Sequence, residues 1–258
     1  MKPHRFFALA LFTLAASVAH AAGASAAADG DPLGSPRWGD MRKQFFAGAK
    51  VVFDSRVKVA APEVAEDPLN VPVTVDAAAL ADVETVLVFA DFNPILRALA
   101  FTPRASLPYL GFRLKLQQSS PVRAAARTAD GTWHVGGALV TTTGGGCTVP
   151  STGSASPEWQ QHLGEVSSRI WREDQDSRLR LRIIHPMDTG LSGTVPAFYL
   201  QQIDIKDGQG RTLMTIEPHE PVSENPVFTL RLPQRNGERL QVQGRDNNGN
   251  RFQAWVEQ

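Results

Sequence analysis

Cysteine is nearly absent: among 258 residues there is one, Cys147. That excludes an intramolecular disulfide framework and leaves two uses, a small buried hydrophobe or a thiol kept free for chemistry or intermolecular pairing. An excess of either charge is missing too, with 26 basic against 26 acidic residues. There is no basic stripe interleaved with aromatics, so nucleic acid is not expected as a partner. Beyond the N-terminus no apolar run approaches the roughly 18 residues of a membrane span, and no membrane partner is expected. Gly-x-Ser-x-Gly elbows, phosphate loops and zinc motifs do not occur, and nothing marks a carboxylate pair. No catalytic residue, metal or cofactor is assigned.

The N-terminus carries an export pattern. Lys2, His4 and Arg5 precede the apolar run "FFALALFTLAASVA", and small residues follow at Ala19 and Ala21. Residues 1–21 therefore read as a secretory signal cleaved after Ala21, with Ala26 as a fallback, which implies a periplasmic protein. Residues 22–36, rich in Ala, Gly, Asp and Pro, read as a mobile leader. Behind Ser35-Pro36, Trp38, Met41 and Phe45 recur at helical spacing and predict a short helix near 37–47.

Strand patterns dominate the rest. "VPVTV" at 71–75 alternates, with Pro72 pushing it toward a sheet edge. "TVLVFA" at 85–90 is a continuous apolar run, as a strand covered on both faces would be. "FRLKLQ" at 112–117 predicts Phe112, Leu114 and Leu116 inside and Arg113, Lys115 and Gln117 in solvent. Turn signals at Asp130-Gly131, Asp207-Gly208 and Asn248-Gly249 join further alternating segments into hairpins. Between these halves, residues 148–171 read as a linker with a short helix, in which Trp159, Leu163, Val166 and Ile170 form one apolar stripe. The prediction is an all-β chain with two small β-sandwiches, at 37–147 and 172–258.

Two features carry candidate chemistry. Gly144, Gly145 and Gly146 precede Cys147 in "TTTGGGCTVP", and a run of such backbone freedom suits an exposed arm better than a core. The expectation is a solvent-exposed, flexible thiol with no cationic side chain beside it to lower its pKa, more a handle for other enzymes than a catalyst. The second is "HPMDTG", comprising His185, Pro186, Met187, Asp188, Thr189 and Gly190, between two predicted strands. By composition it is a loop whose side chains satisfy backbone groups. A copper reading fails because no His or Met follows Cys147 within ligand-loop spacing. His134, His219 and Asp91 have no partner at an interpretable spacing and read as structural.

Taken together, "DFNPILRALAFTP" and "FRLKLQQSSPVRAAARTADGTWHVGGALVTTTGGGC" resemble SoxY, a periplasmic sulfur carrier. "IIHPMDTG", "VPAFYLQQIDI", "SENPVFTLRL" and "RDNNGN" resemble SoxZ, its immunoglobulin-like partner. The order is that of the fused SoxYZ-like carriers associated with quinoprotein dehydrogenases. The resemblance implies two immunoglobulin-like sandwiches, Cys147 as the covalent carrier, Gly144–Gly146 as its swinging arm, and residues 185–190 as a recognition loop near the tether. It implies small sulfur compounds as covalent cargo, and periplasmic sulfur-oxidation or quinoprotein enzymes as partners of a monomer or disulfide-linked dimer that is not itself an enzyme. One departure stands out: in SoxY the cysteine lies close to the chain end, whereas here Thr148, Val149 and Pro150 follow and the chain continues. Two other readings remain open, a docking module for a quinoprotein dehydrogenase without cysteine chemistry, and a thiol-dependent transferase, which would need a general base.

Overall fold

Alternation of apolar and polar residues becomes a pair of sheets. In the computed structural model, which describes residues 30–152, 157–233 and 239–256, helix α1 (Trp38–Phe46) leads into nine strands: β1 (Val51–Phe53), β2 (Lys58–Ala60), β3 (Val64–Ala65), β4 (Val71–Asp76), β5 (Val83–Ala90), β6 (Arg97–Thr102), β7 (Tyr109–Leu114), β8 (Ser120–Thr128) and β9 (Trp133–Thr142). A short helix α2 (Pro157–Gln161) precedes β10 (Val166–Arg172), β11 (Asp176–Ile183), β12 (Leu200–Lys206), β13 (Thr212–Pro218), β14 (Val227–Pro233), β15 (Gln241–Asp246) and β16 (Arg251–Trp255). The all-β expectation holds.

Both halves contribute to both sheets. The larger sheet runs β1-β9-β8-β5-β6-β13-β12-β15-β16, with β3 also on β9, and the smaller runs β10-β11-β14-β7-β4-β2. The immunoglobulin-like halves meet edge to edge: β6 pairs with β13, setting Phe101 opposite Ile216, and β7 pairs with β14, setting Leu110 opposite Leu230. Each seam closes strand edges that would otherwise expose a row of unpaired backbone groups. One apolar core, from Val71 and Phe101 to Ile205 and Phe228, runs through both halves.

Strand β5 is covered on both faces, as its unbroken apolar run predicts. Val86, Val88 and Ala90 face the main core, while Leu87 and Phe89 pack with Trp38, Met41 and Phe46 of α1. Each of these large side chains contributes about 1.5–3 kcal/mol by burial. Pro72 lies beyond the stretch of β4 that pairs with β2, so its missing N–H costs no ladder bond. The hairpins at Asp130-Gly131 and Asn248-Gly249 have their glycines at positive φ, whereas in the β12–β13 turn that role falls to Gly210 and not Gly208.

Two boundaries differ from expectation. Residues 30–36 belong to the folded body: Asp31 and Ser35 are buried, and Asp31 Oδ1 and Oδ2 accept from Arg123 at 2.8 and 2.7 Å. Asp91 binds the other side of the same guanidinium, which also lies 4.7 Å over the Trp38 ring. The expected signal at 1–21 and the rest of the leader, 22–29, lie outside the described residues. The stripe Trp159–Ile170 is not one helix. Gly164, at φ +78°, breaks it, and Val166 and Ile170 enter β10, which pairs with β11 along seven residues. A spacing of four keeps two residues on one face of a helix or of a strand, so periodicity alone could not separate them.

Candidate functional site

The glycine run leaves β9 and crosses the end of β7 in close contact with it. Gly145 N–H donates to Gln117 O at 2.9 Å and Gly146 N–H to Leu116 O at 3.0 Å. A Cβ on Gly144 would lie 2.4 Å from Gln117 O, and one on Gly146 would lie 2.2 Å from Pro68 O. Gly144 and Gly145 also adopt positive φ, +84° and +88°. The glycines are thus needed for backbone-on-backbone approach as well as for freedom.

Cys147 is fully buried, contrary to the exposed thiol expected from its polar, glycine-rich surroundings. Its N–H donates to Gln117 Oε1 at 3.2 Å, and its Sγ lies 3.7 Å from Lys115 O. The expectation failed because local composition says nothing about a cover supplied from far along the chain. That cover includes the loop "HPMDTG". Thr189 Oγ1 donates to Cys147 O, and Asp188 accepts from Ser151 N–H at 2.8 Å and from Ser151 Oγ at 3.1 Å. The loop therefore sits against the tether, gripping it at Cys147 and four residues beyond.

The loop is itself tightly held. Asn225 closes it, donating its N–H to His185 O and accepting from His185 N–H. His185 Nδ1 accepts from Met187 N–H at 3.1 Å, which puts the ring proton on Nε2, facing Asp246 Oδ2 at 3.6 Å. Burial pushes the His185 pKa well down despite that carboxylate, leaving a neutral ring against Phe198, 4.5 Å between centroids. Met187, buried at φ +53°, takes Leu200 N–H on its sulfur at 3.4 Å. Pro186 is buried, and Gly190, at φ +77°, turns the chain where a Cβ would meet Ala197 N at 3.0 Å. No group of three His, Cys, Asp or Glu side chains placed to hold a metal occurs among the described residues.

Lys115 is the residue that sequence reasoning missed. Alternation put it in solvent, but β7 ends at Leu114, where Lys115 N–H bonds Pro221 O, and the side chain turns inward to 3% exposure. Its ammonium donates to Met187 O. Burial lowers its pKa, opposed by the charges of Asp188, Cys147, Glu224 and Glu220. Burial likewise pushes the Cys147 thiol from 9.0 up to about 11, with Lys115 pulling the other way. The docked thiol is therefore protonated at neutral pH, and the thiol form is a poor nucleophile. A lysine between two leucines carries no local sign of such a role. The histidines read as structural have structural partners, His134 with Asp54 at 2.7 Å and His219 with Glu220 at 3.6 Å.

Comparison with known proteins matches the chain to two families. Residues 42–147 match the family of sulfur oxidation protein SoxY, a match that ends at Cys147, and residues 169–257 match that of sulphur oxidation protein SoxZ. Among solved structures, the sulfur carrier protein SoxY from Chlorobium limicola f thiosulfatophilum aligns at 20% identity and a TM-score of 0.37, covering 42% of this chain and 96% of that one. No curated protein matches the chain. The chain belongs to the SoxY and SoxZ families in tandem, as a fused SoxYZ-like carrier.

Proposed function

We propose that the chain is a periplasmic carrier that holds sulfur intermediates covalently on Cys147 and presents them to partner enzymes, with no catalysis of its own. One observation carries the reading: the sole thiol closes the SoxY segment, and its peptide is held by a loop of the SoxZ segment through Thr189. Docked, Cys147 is enclosed and protonated, so loading and delivery take place with residues 143–150 lifted from their seat. A few hydrogen bonds worth about 1 kcal/mol each hold the arm, a scale suited to local opening without unfolding. Gly144, Gly145 and Gly146 serve both states, fitting the seat when docked and lending freedom when lifted. Residues 185–190 are a resting seat, and on lifting Thr189 is released to meet a partner while Asp188 keeps its hold on Ser151.

The test is the intact mass of protein taken from its own periplasm, with and without reductant, beside a Cys147→Ser strain. Reductant-labile mass on Cys147 and loss of function in the serine strain are the expected results. A second reading, a docking module for a quinoprotein dehydrogenase, is favoured by the complete burial of Cys147. It predicts an unmodified thiol and full function in Cys147→Ser.

A further inference from the structure

The outer face of the six-stranded sheet is populated by arginine. On β11, Leu179, Leu181 and Ile183 face the core, so Arg178, Arg180 and Arg182 point outward. Register sets Arg169 of β10 directly opposite Arg180, and Arg113 of β7 is exposed on the same face across the seam. Acidic side chains serve only one end. Glu173 and Asp176 engage Arg231 at 3.5 and 2.7 Å, and Glu173 lies 3.6 Å from Arg178. Among the described residues no carboxylate is within ion-pair distance of Arg113, Arg169, Arg180 or Arg182, and Arg169 only stacks over Trp171, at 5.1 Å. Like charges set directly opposite on neighbouring strands destabilise a sheet. Stability gives this face no reason to exist.

Its shape and place say what it fits. The arginines spread over four strands, β10, β11, β14 and β7, about 14 Å at ordinary strand spacing. Between Arg113 and Arg180 the surface dips into a shallow depression of about 210 Å³ over Gly111, Thr74 and Thr229. A small anion needs converging donors, and here the guanidiniums are spread along a sheet. A lipid surface would favour apolar side chains among the cations, but the exposed large hydrophobics, Val64, Leu139, Val149, Leu191 and Trp255, all lie off this sheet. A protein surface bearing carboxylates matches both extent and charge. The face also leads to the thiol. Ser223 N–H bonds Arg113 O and its hydroxyl bonds Leu69 O, next to Pro68, whose carbonyl abuts Gly146.

We propose that the Arg113–Arg169–Arg180–Arg182 face docks an acidic protein partner that loads or unloads Cys147, a role that rests on the carrier reading. Docking there puts the partner beside the arm's seat, and the unpaired charge steers its approach.

The experiment has two arms, each comparing the wild type with Arg113→Glu/Arg180→Glu/Arg182→Glu and with a control of equal charge change elsewhere, Lys43→Glu/Lys50→Glu/Arg104→Glu, whose three side chains are exposed off this sheet. In the first, fluorescence anisotropy follows binding of an oligoglutamate peptide and, separately, of phosphatidylglycerol vesicles. The face variant should bind the peptide on the order of tenfold more weakly while the control matches the wild type, and salt should erase the difference. Equal losses in both variants, or vesicle binding without peptide binding, would overturn the proposal. In the second, the Cys147 adduct is weighed in the native periplasm. The face variant should be largely unloaded although its reduced thiol alkylates at the wild-type rate, and normal loading would overturn the docking role. A wild type without any adduct sinks the carrier reading and with it the partner's task, while the peptide arm still decides whether the face binds acidic protein. Should the glutamate variant not fold, the glutamine triple variant replaces it in both arms, with the same expected losses.

Discussion

Thr189 Oγ1 donates to the carbonyl of Cys147, 2.6 Å away, and so ties a loop of the SoxZ segment to the one thiol of the SoxY segment. Thr189→Val keeps the shape and removes the bond. A loss of about 1 kcal/mol raises the lifted population about fivefold, and the iodoacetamide labelling rate of Cys147 at neutral pH should rise by that factor. An unchanged rate would mean that the arm is held elsewhere.

Labelling should also show an unusual pH profile. The docked thiol's pKa is raised from 9.0 to about 11, so docking is fully favourable below the ordinary value and weakens as pH climbs from about 9 to about 11. A free thiol's labelling levels off above its own pKa, about 8.5. That of Cys147 should keep climbing toward pH 11. Lys115→Met removes the charge that favours the thiolate and should move the profile higher still. A plateau near pH 9 in the wild type would mean that the thiol is not buried in solution.

The glycines separate contact from freedom. Gly146→Ala places a methyl 2.2 Å from Pro68 O, whereas at Gly145 a Cβ meets nothing within 4 Å. Gly146→Ala should leave the arm lifted and Cys147 quickly alkylated, with the melting transition of the body preserved. Gly145→Ala bears only the left-handed backbone cost of about 1–2 kcal/mol and should label at an intermediate rate. Equal rates in the two variants would refute the seat.

Arg123 is the buried cation between Asp31 and Asp91. Arg123→Met leaves two buried carboxylates without it, and denaturant unfolding should show a loss of about 3–5 kcal/mol. Burial alone would raise the Asp31 pKa, but Arg123 and the N–H groups of Ser35 and Leu33 bring it below 3.8. A depressed carboxylate stabilises above its ordinary value and stops doing so as pH falls. The gap between wild type and variant should therefore narrow below about pH 4.

The seams make a further prediction. Expressed apart, residues 30–152 and 157–258 would each present two open strand edges, from β6 and β7 or from β13 and β14. Co-expressed, they should copurify as a tight pair, and each alone should aggregate. Halves that stay soluble and separate would refute a shared pair of sheets.

Much of what depends on near neighbours was legible in the sequence. The alternation of β11 announces Leu179 and Leu181 as core, the run in β5 announces cover on both faces, and the glycines before Cys147 announce an unusual backbone. The docking of that backbone was not legible, because Gln117, Pro68 and Thr189, which form its seat, come from three remote parts of the chain. Lys115 was misplaced because alternation extrapolates a strand past Leu114, where the chain has already turned. Asp31 looked like leader for want of any visible link to Arg123, its partner across 92 positions.

Both ends of the cysteine arm are fastened. Thr142 exchanges hydrogen bonds with Ser119, while Ser151 and Thr152 are held by Asp188 and Glu224. Between those anchors the thiol rides near the middle of a short bridge, not at the tip of a rope. Five chain steps reach it from Thr142 and four from Ser151, and the shorter side, at about 3.3 Å a step, lets it rise no more than about 13 Å above its moorings. An enzyme that serves this carrier must therefore offer a shallow, open trough wide enough for two strands of chain, and a deep narrow shaft would stay out of reach.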